Sequence, residues 1–295
     1  MERLVTCYRE YAPHPALRGQ LRALFCFGPA SRDDRHSSRL IREVRFGAGA
    51  SYSATFADAD GSLVIELGRL GEADGSWKDT AARAGASVIG AMGVAGPKHG
   101  PELPEMIGAY FHPARASAFT GVPGRVLADR IVPLEELWGR DARELPERLR
   151  DADLATRLDL LDAALLARLE VRRGPTASLD LAGLAQWVVA ERGQPSVERL
   201  AQEAGVSRQQ LTRVFHEWVG VSPKRYCRIA RFQSALGFAG ADGPVNWARV
   251  AADSGYADHS HLIAEFREFS GLTPHRLASE RRFHPFIERA RAAQR

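Results

Sequence analysis

One sentence of this chain is written twice within its last hundred residues. The first copy runs Arg199-Leu200-Ala201, Gly205-Val206-Ser207, Leu211, Phe215 and Gly220-Val221-Ser222-Pro223. The second runs Arg249-Val250-Ala251, Gly255-Tyr256-Ala257, Leu262, Phe266 and Gly271-Leu272-Thr273-Pro274. The offset is 50 up to the glycine and 51 beyond it, so the second copy carries one extra residue just past its turn. A repeated order of helix, glycine turn and helix leaves few folds open. It predicts two tandem helix-turn-helix units.

Local chemistry supports each unit. Leu200, Ala201 and Ala204 place apolar and small groups on one helical face, as two steeply crossed helices require. Gly205 supplies the left-handed conformation that ends the helix. Ser207 is placed to cap the next one. Leu211, Val214, Phe215 and Trp218 then fall at helical spacing. That leaves Arg208, Gln209, Thr212 and Arg213 on the opposite face.

At these residues the chain resembles the AraC/XylS family of bacterial transcription regulators. The resemblance spans about residues 177–277 and rests on SVERLAQEAGVSRQQLTRVFHEWVGVSPKRYCRIARFQSAL followed by ARVAADSGYADHSHLIAEFREFSGLTPHRL. It implies a seven-helix module with two recognition helices in successive major-groove segments, bridged by a long helix at about Pro223–Phe238. Upstream, ADADGSLVIELG (57–68) and FHPARASAFTGVPGRVLADRIVPLEELWG (111–139) resemble an N-terminal domain that precedes such modules in many actinobacterial regulators.

The charge is distributed in the same sense. Residues 195–295 hold 15 Lys and Arg against 10 Asp and Glu, whereas the remainder holds 25 against 26. Positive charge on the half with the repeat suits phosphate attraction, although a solvated basic surface would look the same.

Arginine can pair with guanine O6 and N7 and glutamine with adenine N6 and N7. Arg208, Gln209, Thr212 and Arg213 are therefore the expected base readers of the first unit, and the resemblance puts Gln209, Thr212 and Arg213 at the family's base-reading positions. Arg213 as a phosphate clamp is the alternative. For the second unit the expected readers are His259, Ser260 and His261. This unit departs from the family, which commonly has arginine where Ala264 stands. Glu265 beside it would repel phosphate if it faced DNA. The first unit is thus expected to supply most of the specificity. Ser207, Lys224, Arg225, Arg228 and Arg276 lie at or near helix starts and are the expected phosphate contacts.

The rest of the 295 residues is expected to form an α+β domain over residues 1–173, a β-rich sheet or barrel, followed by the all-α domain over 174–295. Strands are predicted at 22–28, 39–47, 62–68, 86–94 and 106–111 from short apolar runs between turn residues. A short helix follows at 113–120, and another begins near 133. Leu154, Leu158, Leu161, Leu165 and Leu169 form a leucine stripe that either packs on its own domain or pairs with a second copy of the chain, giving a homodimer. Residues 172–176 are the expected boundary. The basic tail 281–295 could reach phosphates or remain a solvated end.

An enzyme is not expected. No Gly-rich phosphate loop, GxSxG elbow or HExxH run occurs. His14, His36, His99 and His112 lack metal spacing, so neither a metal nor a cofactor is expected. DNA alkyl-transfer repair, which needs four cysteines with a reactive thiolate, fails because only Cys7 and Cys26 lie in the first domain. Three scattered cysteines suit a reducing compartment. No membrane span or signal peptide is read, and a cytoplasmic setting is expected. The expected partners are duplex DNA, a small-molecule effector on the first domain, and RNA polymerase if the chain activates. Tyr52, Phe56, Trp77, Arg45 and Glu66 are conceivable effector contacts. A first domain that serves association alone is the competing reading.

Overall fold

The structure is a computed structural model describing residues 6–29, 38–46, 61–67, 85–93, 105–171, 179–237 and 245–279. Tyr52, Phe56, Trp77, His36, His99, residues 172–176 and the 281–295 tail lie outside them.

The first domain is built on a seven-stranded antiparallel sheet. Its strands are β1 (Thr6–Tyr11), β2 (Leu21–Pro29), β3 (Leu40–Phe46), β4 (Ser62–Glu66), β5 (Ala86–Ile89), β6 (Met106–Phe111) and β7 (Ile131–Pro133). They lie in the order β3-β1-β2-β6-β4-β5-β7. Alternation along the strands divides the side chains between two faces. Leu24, Leu63, Ile65, Ile107 and Val88 face the main core of this domain. Tyr8, Phe25, Phe27, Met106 and Tyr110 form a separate cluster on the other face. Gly108 is required at the centre, because a Cβ there would run into the Phe25 ring and the Leu63 carbonyl.

Two strands escape a reading by apolar runs. β1 (TCYREY) buries Arg9 and Glu10, and each has found a partner. Arg9 Nε donates to Glu43 at 2.8 Å, and the Tyr8 hydroxyl donates to Glu10 at 2.6 Å. Paired charges can be buried where unpaired ones cannot. β7 is only three residues long.

Helices α1 (Ala116–Thr120), α2 (Gly124–Leu127), α3 (Leu134–Trp138), α4 (Asp141–Arg150) and α5 (Leu154–Val171) follow. On α5, Leu158, Leu161 and Leu165 are all buried in the core of their own domain. Of the two readings of this stripe, packing on its own domain accounts for these three leucines, while Leu154 and Leu169 at its ends are half-buried. Asp162 on α5 is also buried. Its carboxylate accepts from the His14 backbone N–H and pairs with Arg39, fixing the far end of the β1–β2 region.

The second domain is all-α: α6 (Leu181–Ala190), α7 (Val197–Glu203), α8 (Arg208–Trp218), α9 (Pro223–Leu236), α10 (Trp247–Asp253), α11 (His259–Ser270) and α12 (Pro274–Ser279). All seven of these helices start on a side-chain cap: Asp180, Ser196, Ser207, Ser222, Asn246, Asp258 and Thr273 each accept a backbone N–H. Each such cap is worth about 1 kcal/mol. One core runs through the whole domain. Phe232 of α9 joins its halves, edge-on to Phe266 at 5.0 Å and tilted against Phe269 at 5.5 Å.

The two domains touch where α2 meets the end of α8. The α2 backbone at Gly124 lies against the Trp218 carbonyl so closely that a Cβ would collide with it. Gly220, at φ 95°, turns the chain beside Gly124. Arg125 pairs with Glu217 at 2.7 Å across this contact.

Candidate nucleic-acid interface

The duplicated stretch folds as α7-turn-α8 and α10-turn-α11. Both turns are closed alike: Val206 N–H reaches the Ala201 carbonyl and Tyr256 N–H the Ala251 carbonyl, with Gly205 at φ 64° and Gly255 at φ 74°. The extra residue of the second copy lengthens its turn by Ala257. The cap therefore moves from a serine, Ser207, to an aspartate, Asp258, whose carboxylate accepts from His261 N–H at 2.7 Å.

In α8, Leu211 and Phe215 are fully buried, and Arg208, Gln209, Thr212 and Arg213 are exposed on the other side. Nothing among the described residues pairs with the Arg213 guanidinium, so it is available to a ligand. Arg208 is already engaged: its Nη1 donates to Glu198 at 2.8 Å, which holds that carboxyl below its usual range. Both groups are well exposed, so the pair costs little to break. His216, one turn beyond Thr212, is exposed on the same side and was not among the expected readers. Its position after the arginine is the only sequence signal that pointed to it.

The second recognition helix presents a different surface. Of its expected readers, Ser260 is exposed, while His259 and His261 are half-buried. The His259 Nε2 atom is turned into the protein. His261 accepts from Ala257 N–H through Nδ1 at 3.4 Å, places Nε2 3.4 Å from Glu265, and sets its ring edge-on to Tyr256. The His261 imidazole is thus engaged within its own unit, and the His259 Nε2 is buried without a hydrogen-bond partner among the described residues. The exposed positions on this helix are Ser260, Ala264, Arg267 and Glu268.

Glu265 does not face solvent at all. It is 2% exposed and accepts from Arg228 Nε at 2.7 Å. Burial, then the neighbouring Glu265 carboxylate, push the Tyr256 phenol above its ordinary value, so that hydroxyl stays neutral. The equivalent of Glu265 in the first copy is Val214. A wholly apolar position has become an ion-paired one.

The expected phosphate contacts separate into two groups. Lys224 is exposed, Arg276 is exposed beside the Thr273 cap, and Ser207 is exposed at the start of α8. Arg225 and Arg228 are instead held within the protein. Arg228 reaches both Glu265 and Glu268, and Arg225 donates to Glu268 at 3.1 Å and to the Gly93 carbonyl at 3.1 and 2.6 Å. The sequence offered no signal for this, since Gly93 lies 132 positions from Arg225. Cys227 on the same helix is buried, which pushes its thiol up to about 11. It is a packing residue.

Residues 200–280 match the family model described as a helix-turn-helix domain. The chain is similar, at 25% identity over 190 residues, to an uncharacterized HTH-type transcriptional regulator of Haemophilus influenzae; the match covers 59% of this chain and 62% of that protein. Among solved structures it is similar to an AraC-type DNA-binding-domain regulator from Chromobacterium violaceum (23% identity, 33% of this chain and 88% of that one, TM-score 0.31). It is also similar to unsaturated-fatty-acid-bound ToxT from Vibrio cholerae (10% identity, 93% and 94% covered, TM-score 0.39). Among the described residues no helix is long and apolar enough to cross a membrane. With its repeated capped turns, outward polar faces and family match, the C-terminal part of this chain is a DNA-binding helix-turn-helix domain of the AraC type, carrying two units in tandem.

Proposed function

We propose that the chain is a sequence-specific transcription regulator of the cytoplasm whose first domain responds to a small molecule. The observation that carries the DNA part is the α8 face. Gln209, Thr212 and Arg213 stand exposed together on a helix whose opposite side is locked into a core, and the arginine pairs with none of the described residues. These side chains have the donors and acceptors that major-groove edges require. Ser207 and Lys224 flank the face and suit phosphates, while Ser260 and Ala264 give the second unit weaker means of reading. On this reading the protein covers two groove segments about one helical turn apart, the first read more stringently than the second. Footprinting of the chain on fragments recovered from genomic DNA tests this. Protection of two segments supports it, and protection of one short segment refutes engagement of the second unit.

For the effector, the sheet face opposite the main core is the best-supported location. Tyr8, Phe25, Phe27 and Tyr110 pack there as a buried aromatic cluster, Arg22 lies 5.1 Å over the Tyr110 ring, and the Tyr8 hydroxyl meets Glu10. Apolar walls with a few placed polar groups are the usual composition of a ligand site. Association through this domain remains the second reading, on a surface other than the buried leucine stripe. A thermal-shift screen distinguishes them, because a ligand bound only by the folded state raises Tm, and Tyr110→Ala should abolish that rise.

A further inference from the structure

Arg225 sits at the start of α9, next to a serine cap, where a phosphate contact was expected. Two of its three guanidinium nitrogens, Nε and Nη2, are committed elsewhere. On one side Nε and Nη2 both donate to the Gly93 carbonyl, and on the other Nη2 donates to Glu268 of α11. The carbonyl it grips is itself fixed, because Gly93 N–H donates to Asp129 at 2.6 Å, and Asp129, at φ 54°, is pinned through its own N–H to the Ala91 carbonyl. The absence of a side chain at Gly93 is part of the fit: a Cβ there would stand 2.7 Å from Arg225 Nε. Glu268 in turn pairs with Arg228, which also holds the buried Glu265. Glu265 and Glu268 lie one turn apart on the second recognition helix. Through two arginines, a loop of the first domain is thereby connected to that helix.

We propose that Arg225 is a positioning residue. It sets the second recognition helix against the first domain, so the first domain governs how the second unit meets DNA. This rests on the reading that both units engage DNA. A planar guanidinium serves a carbonyl and a carboxylate together in a way that lysine's point charge does not. The pairs are one-quarter to one-third exposed at their arginines, so the cluster contributes orientation more than stability. The first unit needs no such device, because its α8 is docked on α2 directly through Gly124 and Trp218.

The experiment is quantitative footprinting of the full-length chain, with protection followed separately at each segment and as a function of salt. Three variants are compared: Gly93→Ala, Arg225→Lys and Glu268→Gln. Positioning predicts that each weakens the second segment by roughly 2- to 30-fold, the range over which single residues alter coupling between sites, with the first segment unchanged. A phosphate role for Arg225 predicts the opposite pattern. Gly93→Ala would then release the arginine and leave binding intact or stronger, Arg225→Lys would stay near wild type, and Glu268→Gln would strengthen binding by removing a negative charge near DNA. Equal loss at both segments would show a general folding defect and overturn the proposal. Wild-type protection of a single segment would refute the two-segment reading and the proposal with it. Two protected segments with three silent variants would refute the proposal alone.

Discussion

The first helix-turn-helix unit and the second descend to the same geometry by the same local devices, yet they present different chemistry. Both turns place glycine at positive φ and close with the same backbone bond. Both recognition helices bury a leucine and a phenylalanine four residues apart. On the exposed side, Gln209, Thr212 and Arg213 of the first correspond to Ser260, Ile263 and Ala264 of the second. At the inner side, Val214 corresponds to Glu265. A scaffold can be copied with its core intact while the groups that determine binding and orientation change independently. The first unit exposes Gln209, Thr212 and Arg213 and rests on the neighbouring domain through backbone contact and the Arg125–Glu217 pair. The second exposes Ser260 and Ala264 at corresponding positions and is held by ion pairs through Arg225 and Arg228.

The sharpest break between the units would come from removing the support of one. Leu161→Lys places a charge in the first domain's core and should cost more than about 4 kcal/mol, the range reserved for buried unpaired charges. Circular dichroism should show the sheet signal lost while the helical C-terminal part persists and still binds DNA. Retention of the folded first domain with loss of a dimer would instead restore the leucine seam.

Next in size is Arg213→Ala, expected to cost about 1–3 kcal/mol at the preferred site and to relax choice at one base position. Equal weakening on scrambled sites, with a shallower salt dependence, would make this arginine a clamp and erase the contrast between readers. Glu265→Val makes the inner positions of the two copies alike. It should nonetheless destabilise by about 1–2 kcal/mol in urea unfolding, because Arg228 loses its more buried partner while remaining partly hydrated. An unchanged midpoint would mean the ion pair adds nothing to the second unit. The effect that vanishes at neutral pH concerns Cys227. Its folded pKa of about 11 lies above the unfolded value of 9.0, so the neutral thiol is favoured on folding. That contribution is fully present below pH 9 and is lost as pH rises from there toward 11. Cys227→Ser should flatten this alkaline decline by about 1 kcal/mol at pH 10, and an unaltered pH profile would assign the decline to other groups.

What was legible in the sequence was the part written in local chemistry. Gly205, Ser207 and Ser222 announce a turn and two helix starts without reference to distant residues, and they occupy those places. The strand runs at residues 62–66 and 106–111 are legible for the same reason. β1 was not, because Arg9 and Glu10 are buried only by virtue of partners such as Glu43, which lies on another strand. The fate of His261, Glu265 and Arg225 was hidden likewise. A polar side chain on a helix reads as outward by periodicity alone, and only tertiary partners can turn it inward. The leucine stripe had the period of a seam and of a core element equally, and the neighbouring helices and sheet decided between them.

Asp162 has a consequence for how this chain is made. It secures the His14 backbone and Arg39, so this tie between the β1–β2 connection and the start of β3 forms only after a residue well over a hundred positions later has left the ribosome. Until then, β1 and β2 can pair with each other but lack the anchor at their far end. Closing such long loops is slow, and unpaired strand edges remain exposed to other chains meanwhile. The second domain, folded from neighbours in sequence, has no comparable wait.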